Sequence, residues 1–235
     1  MCEGWTLSAM SPVWTGAQKS DNMSPIMKRP EQLGLDFVQR GGRRKGAGRK
    51  TTGSRALVSH KARPRFDKPA AVHVTVRFGE HVWNLRSQRS YRLIKACFAD
   101  ALGRFGLRII QFSVQGNHVH LIVEADSSAA LSRGMQGLCI RLAKALNRLM
   151  ERKGHVFADH FHSRILATPT ELVNAIAYVL GNHAHHFGGT PARDAYSSAA
   201  LDAEGRERVL SHPRTWLLRS GWRRARTRPQ WLRLE

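Results

Sequence analysis

Two adjacent runs of branched and aliphatic residues, 107–115 and 117–124, constrain the fold of this chain more than any other feature. They join at Gly116-Asn117. Runs of this composition favour β-strands, and a Gly-Asn junction is typical of a tight hairpin. The second run carries His118 and His120, which alternation turns to the same side of the strand. The sequence therefore predicts a hairpin with two imidazoles on one face, a candidate metal site.

Further elements flank this hairpin on both sides. Alternating branched residues predict strands, and apolar residues at three- and four-residue spacing predict helices. The expected strands are 71–78 and 161–167, and the expected helices are 86–104 and 128–152. The order strand, helix, strand, strand, helix, strand predicts an α+β fold of the ferredoxin-like split βαβ type, with an antiparallel sheet and both helices on one face.

A further helix is expected to begin at Pro169. Thr168 supplies an N-cap hydroxyl and Glu171 the matching carboxylate of a capping box, with proline at the first helical position. Polar residues then follow one another at helical spacing along one seam: Glu171, Asn174, Tyr178, Asn182 and His185. Because Tyr178 and Asn182 are one turn apart, a phenol and an amide can point at the same partner surface. We expect that partner to be the histidine strand.

Charge limits what such a site can act on. Thirty-eight Lys and Arg against 17 Asp and Glu give a formal net charge of +21, which in a chain with a pI near 11.4 favours a polyanionic partner such as nucleic acid. No run approaches the roughly 18 apolar residues that span a bilayer, and the N-terminus lacks the apolar core of a secretory signal. We expect a cytoplasmic protein without a membrane partner. The three cysteines, Cys2, Cys97 and Cys139, have no paired spacing, so neither a disulfide framework nor a cysteine zinc site is indicated.

The segment 116–123, GNHVHLIV, together with the segment 177–182, AYVLGN, resembles the single-tyrosine HUH transposases. Within that group the chain is most similar to the REP-associated tyrosine transposases, and the resemblance covers roughly residues 70 to 188. It implies a ferredoxin-like domain in which His118, His120 and Asn182 bind a divalent metal and Tyr178 is the nucleophile that cleaves single-stranded DNA. The implied product is a 5′-phosphotyrosine with a free 3′ hydroxyl, formed at hairpins of palindromic repeats.

The resemblance also decides the expected metal. Imidazole ligands alone favour Zn, Cu or Ni, whereas an amide oxygen with open water sites favours Mg or Mn. The resemblance implies the metals that the family uses, so we expect Mg²⁺ or Mn²⁺. Many relatives have proline after the residue equivalent to Asn182, where this chain has His183, His185 and His186, and these imidazoles leave the exact ligand set open. Relatives act as monomers or homodimers, and no stripe in the sequence decides between the two.

Residues 1–69 have no sustained period and combine glycine with like charge, so we expect a flexible basic arm there. The resemblance implies a transposase domain at 70–190 in a bacterial protein that acts at the nucleoid, and a basic, Trp/Arg-rich tail follows at 191–235. The candidate DNA-binding residues are Arg43, Arg44, Lys45, Arg49 and Lys50 in the arm, His160, His162 and Arg164 in a second His-x-His segment, and Arg223 and Arg224 in the tail. Each set has an alternative reading. The arm can be a solvated tail, the second His-x-His can serve packing, and the tail can bury its tryptophans on the domain rather than stack bases.

These observations predict a metal-dependent single-stranded DNA endonuclease and strand transferase. Two other functions stay open. One is a catalytically silent protein that binds palindromes, and the other is an RNA-binding ferredoxin-like domain, since such sheets also present aromatics to single-stranded bases.

Overall fold

A computed structural model describes residues 63–187, 194–227 and 229, without the side chains of 185–187. The main strands and helices follow one another along the chain as β1 Ala70–Arg77, α1 Gln88–Ala99, β2 Leu107–Val114, β3 His118–Ala125, α2 Ser128–Leu149, β4 His162–Leu166 and α3 Pro169–Phe187. The four strands form one antiparallel sheet in the order β2-β3-β1-β4. The predicted α+β ferredoxin-like arrangement is confirmed.

The main hydrophobic core lies between one face of the sheet and the helices α1 and α2. Alternate residues of β1, namely Val72, Val74 and Val76, point into it and are fully or almost fully buried. Phe98 from α1 and Leu138 from α2 cover them and are themselves inaccessible to solvent. The strict alternation of β1 thus commits one face to the core and leaves the other face for a different partner.

That other face is covered by α3. Leu172 and Ile176 of this helix pack with Ile122 of β3 in a second, smaller apolar cluster. The sheet therefore separates two layers of helix, and α3 lies on the side opposite to α1 and α2. His73 and His120, two polar residues of the strands, lie on this side of the sheet against Tyr178 of α3.

The hairpin between β2 and β3 has the predicted connection. The backbone N–H of Gln115 donates to the carbonyl of His118 at 2.8 Å, so Gly116 and Asn117 form the loop between the strands. The register of β2 against β3 shifts between Ile109 and Gln111, which is a β-bulge.

The first helix ends earlier than the sequence suggested. Its last residue is Ala99 rather than Arg104. Residues 100–106 form turns instead, with positive φ at Gly103, Phe105 and Gly106. After Ala99 the helical bonds give way to shorter ones, from Ala101 N–H to the carbonyl of Phe98 and from Leu102 N–H to that of Ala99. The left-handed backbone from Gly103 onward then prevents the helix from resuming, and apolar spacing carries no information about φ.

The chain after α3 returns to the sheet. A bidentate ion pair joins Asp194 to Arg86 at 2.7 and 2.9 Å, and two short helices follow, α4 Ala203–Val209 and α5 Trp216–Arg219. Trp222 is buried in the cluster beneath α3, whereas Trp216 is exposed. Of the two tryptophans of the tail that the structure describes, one therefore packs on the domain and the other faces solvent. No helix in the described part of the chain is long and apolar enough to cross a membrane.

Candidate active site

A row of polar side chains crosses the sheet on the side that α3 covers. In the antiparallel register, Thr75 of β1 stands opposite His120 of β3 on one side and His162 of β4 on the other. Residues paired across neighbouring strands present their side chains to the same face. His73, two residues before Thr75, lies on this face as well.

His120 is held by two contacts to a single ring nitrogen. Its Nδ1 lies 3.1 Å from Thr75 Oγ1 and 3.3 Å from His73 Nε2, and its side chain is buried, with the residue 4% exposed. The ring of His118 stands edge-on to it at a centroid distance of 4.8 Å. Because Thr75 and His73 occupy the Nδ1 side, a ligand of His120 would bind through Nε2. Outer contacts of this kind are what orient metal-binding histidines.

Sequence reasoning did not include His73 in the site. Burial, followed by the nearby His162 and Arg164, lowers the pKa of His73 to about 4. Its imidazole is therefore neutral near pH 7 and can contact His120 without charge repulsion. The alternation in β1 could have revealed it. His73 and Thr75 alternate there with valines, as His118 and His120 alternate with Val119 and Leu121 in β3.

The predicted capping box fixes the start of α3. Thr168 Oγ1 accepts from the backbone N–H of Glu171 at 3.2 Å, and Glu171 Oε2 accepts from the backbone N–H groups of Thr168 and Ala167 at 3.2 and 3.0 Å. These contacts satisfy donors that would otherwise be unpaired at a helix terminus. Burial of Glu171 is slight, and the two backbone donors lower its pKa below the ordinary 4.5. The first turn of α3 is thus anchored to the end of β4.

From this anchor the helix brings Tyr178 onto the polar row. The phenol ring lies edge-on to His120 at a centroid distance of 5.3 Å and to His73 at 6.0 Å. Tyr178 remains 51% exposed, so a phosphodiester from solution can reach it. The other two tyrosines, Tyr91 and Tyr196, pack against each other in the layer of α1, away from the histidines.

Asn182 lies one turn beyond Tyr178 and is 1% exposed. Neither its Oδ1 nor its Nδ2 has a hydrogen-bond partner among the described residues. Buried amides are almost always paired, so the amide of Asn182 is suited to a partner from outside the protein. Within the described residues no set of three or more His, Cys, Asp or Glu side chains is grouped for metal binding. A metal site here would therefore combine the histidines with the amide of Asn182.

The predicted DNA-binding residues are distributed unevenly around this centre. His162 and Arg164 lie on the α3 face of β4, both exposed and both close enough to lower the pKa of His73. His160 precedes the strand, where its backbone N–H donates to the Asp159 carboxylate. Arg223 and Arg224 are exposed beside Trp222 and Trp216, with guanidinium-to-ring distances of 5.2 and 5.4 Å. The arm residues Arg43, Arg44, Lys45, Arg49 and Lys50 lie outside the described residues, as do the side chains of His185 and His186. The DNA-binding role of all these residues stays a prediction.

Residues 71–182 match the family described as IS200-like transposases. The fold is similar to that of a REP-associated tyrosine transposase solved in complex with a REP hairpin, with a TM-score of 0.50 and 14% identity over 60% of this chain and 82% of the other. A transposase-like protein from Deinococcus radiodurans R1 also matches, with a TM-score of 0.36 and 12% identity over 48% of this chain and 88% of the other. No curated protein matches the sequence.

Proposed function

Since residues 71–182 match the family of IS200-like transposases, we propose that this chain cleaves and rejoins single-stranded DNA through a covalent bond to Tyr178. The observation that carries the proposal is the placement of a half-exposed phenol against His120 and His73, one helical turn before a buried and unpaired Asn182. A tyrosine that served packing would have no need of this polar environment.

The residues present fit a divalent metal, for which Mg²⁺ or Mn²⁺ is the proposed choice. His118, His120 and Asn182 would hold it, and the unpaired Oδ1 of Asn182 is the hard oxygen ligand that these ions prefer. When bound, the ion would supply positive charge that polarises a non-bridging oxygen of the scissile phosphate. Thr75 and His73 contribute indirectly, because their contacts to Nδ1 fix the ring of His120.

In the proposed reaction, Tyr178 Oη attacks the phosphorus of a phosphodiester. A bond forms between Oη and phosphorus while the bond from phosphorus to the 3′ oxygen breaks. The phenol proton is lost to a base, and the departing 3′ oxygen takes up a proton to become a 3′ hydroxyl. The 5′ phosphate stays on the tyrosine. Because the new phosphodiester preserves the bond energy, the 3′ hydroxyl of another strand can attack it, release Tyr178 and join the strands.

The proposed substrate is a hairpin of a palindromic repeat with a single-stranded flank. Support comes from the similar fold solved with a REP hairpin and from the net charge of +21, which favours phosphate contacts. Exposed cations on this face of the sheet, such as Arg164 on β4, which pairs with Glu171 and stands opposite His73, are suitable for positioning the strand. A monomer and a homodimer are both compatible with the described residues.

The test is a covalent-adduct assay. Purified protein is incubated with a labelled hairpin oligonucleotide and Mg²⁺ or Mn²⁺, and the products are separated under denaturing conditions. We expect a labelled protein band that requires the metal and is lost in Tyr178→Phe. Tyr196→Phe is the matched control, since it removes a phenol oxygen from the opposite layer and should leave the adduct unchanged.

Three outcomes would contradict the proposal. An adduct that survives Tyr178→Phe would assign the nucleophile elsewhere. Hairpin binding without any metal-dependent product would instead support the catalytically silent palindrome-binding protein, and preference for RNA over DNA hairpins in competition would support the RNA-binding domain.

A further inference from the structure

A cavity of about 590 Å³ lies on the α3 side of the sheet and has no role in the reaction described above. Its walls come from Leu172 and Ile176 of α3, from Ile110 of β2, and from Leu218 and Trp222 of the C-terminal segment. This volume falls within the roughly 300–1,000 Å³ of ordinary ligand sites. Ile176 precedes Tyr178 by two residues on the same helix, so the cavity and the phenol share one rigid support.

The β-bulge in β2 shapes one wall of this cavity. Strict alternation would send one of two consecutive residues to the opposite face of the sheet. Because the register shifts between Ile109 and Gln111, Ile110 and Gln111 both line the cavity. Bulges that redirect side chains in this way are frequent beside functional sites. Here the bulge places an amide next to an apolar surface.

The amide of Gln111 is already oriented. Its Oε1 accepts from the hydroxyl of Ser198, which in turn accepts from the backbone N–H of Phe112 at 3.0 Å. Because Oε1 already accepts a hydrogen bond from Ser198, the amide can bind a ligand by donating from Nε2. An oriented donor beside an apolar wall is suited to a flat ring that carries an acceptor at its edge.

Cations surround the polar part of the cavity. Arg206 and Arg219 both line it; Arg219 is exposed, and Arg206 donates through Nε to the carbonyl of Leu201 at 3.2 Å. His212 lines it as well. Glu207 supplies the one carboxylate among the lining residues. Apolar walls, one oriented donor and two arginines together match a nucleotide, with its flat base and its phosphate.

We propose that this cavity binds one unpaired nucleotide of the DNA strand that Tyr178 cleaves. The base lies against the apolar walls, Gln111 Nε2 donates to an acceptor on its edge, and Arg206 and Arg219 contact the adjoining phosphate. The inference rests on the proposed function and adds a protein-read position to the single-stranded flank. Such a position fixes the register of the strand relative to the nucleophile.

The test combines abasic substitutions in the DNA with variants of the cavity. Each nucleotide of the single-stranded flank of a hairpin oligonucleotide is replaced in turn by an abasic site, and affinity is measured without added divalent metal. For the unaltered protein we expect one position at which the missing base weakens binding roughly tenfold, the usual range for a lost specific contact. In Gln111→Ala and in Leu210→Trp, which places an indole in the cavity wall, that position should become insensitive.

Arginine variants provide the matched control. Arg219→Ala removes a cation from the cavity, whereas Arg208→Ala removes an exposed cation of α4 that pairs with Glu204 and does not line the cavity. We expect Arg219→Ala to weaken binding of the flanked hairpin more than Arg208→Ala does. Since Arg219 is exposed, this comparison remains informative even where a buried substitution disturbs folding.

The inference is overturned if no abasic position weakens binding by more than about twofold, or if the sensitive position is equally sensitive in both cavity variants. Its failure is distinct from that of the proposed function. If the adduct forms but the cavity variants do not change the sensitivity to any abasic position, only the nucleotide cavity is rejected. If the cavity variants do remove the sensitivity to one abasic position but no Tyr178 adduct forms, the catalytic proposal is rejected and the cavity remains part of a DNA-binding surface.

Discussion

Replacing Glu124 by glutamine should strongly destabilise this protein, although the residue lies outside the proposed centre. Glu124 is inaccessible to solvent on β3, and its carboxylate accepts from Arg108 Nε at 2.6 Å and from the backbone N–H of Thr215 at 2.7 Å. The backbone N–H of Arg214 also donates to both carboxylate oxygens at 3.1 Å. One side chain therefore joins the sheet to the segment that leads into α5.

The expected cost follows from these partners. In Glu124→Gln the buried guanidinium of Arg108 keeps only Asp126, which is half exposed, as a charged partner, and an amide N–H group faces donors that need an acceptor. Removing one member of a buried ion pair costs about 3–5 kcal/mol, and because Asp126 remains we expect a cost at the lower end, about 3 kcal/mol. For a domain of this size each kcal/mol lowers Tm by roughly 2–4 °C, so Tm should fall by roughly 6–12 °C.

The effect should also depend on pH. Burial by itself raises the pKa of Glu124, but the N–H groups of Thr215, Arg108 and Arg214 outweigh burial and hold the pKa below the ordinary 4.5. A carboxyl whose pKa is lower in the folded state stabilises the protein above its unfolded pKa, and this stabilisation is lost as pH falls through the folded pKa. The difference between the two proteins should thus be constant near pH 7 and narrow below about pH 4.5.

Urea unfolding at pH 7 and across the acidic range measures this prediction. Glu204→Gln is the matched control, because it removes the same charge from an exposed pair with Arg208 and should change the free energy of unfolding by less than about 0.5 kcal/mol. If Glu124→Gln loses less than about 1 kcal/mol, or if its deficit is the same at every pH, the described role of this carboxylate is wrong.

Three further predictions concern the site and its support. His73→Ala should slow adduct formation by roughly 10–100-fold while leaving hairpin affinity unchanged, because the contact orients His120; an unchanged rate in a single-turnover assay would argue against this positioning role. Thr168→Ala should lower the free energy of unfolding by about 0.5–2 kcal/mol through loss of the α3 cap, and thermal denaturation beside the exposed Asn174→Ala variant checks it. Hairpin affinity should fall on the order of a thousandfold between about 50 and 200 mM salt if about 6–10 phosphates are contacted. A shallow dependence in a binding titration would contradict a phosphate-dominated interface.

Recognition of the family depended on two short segments, and residues 71–182 match the model of the IS200-like transposase family, while the solved structure that is similar supports the fold. The His-x-His strand and the tyrosine helix are each unremarkable as isolated patterns. Their combination was informative because alternation and helical spacing place the side chains of each segment on one face. The roles of Tyr178, His118, His120 and Asn182 remain predictions for the adduct assay.

By itself the sequence determined the element order, the antiparallel hairpin, the capping box of α3 and the side of each element that carries polar groups. These features depend on local spacing and on residues close together in the chain. It did not reveal His73 as a neighbour of His120, the early end of α1, the bulge at Ile110 or the attachment of the C-terminal segment to Glu124. Each of these depends on strand register, on backbone dihedral angles or on contacts between distant parts of the chain, such as the 91-residue separation between Glu124 and Thr215. Only the tertiary structure decides such contacts, because burial and hydrogen bonding select them after the elements have packed.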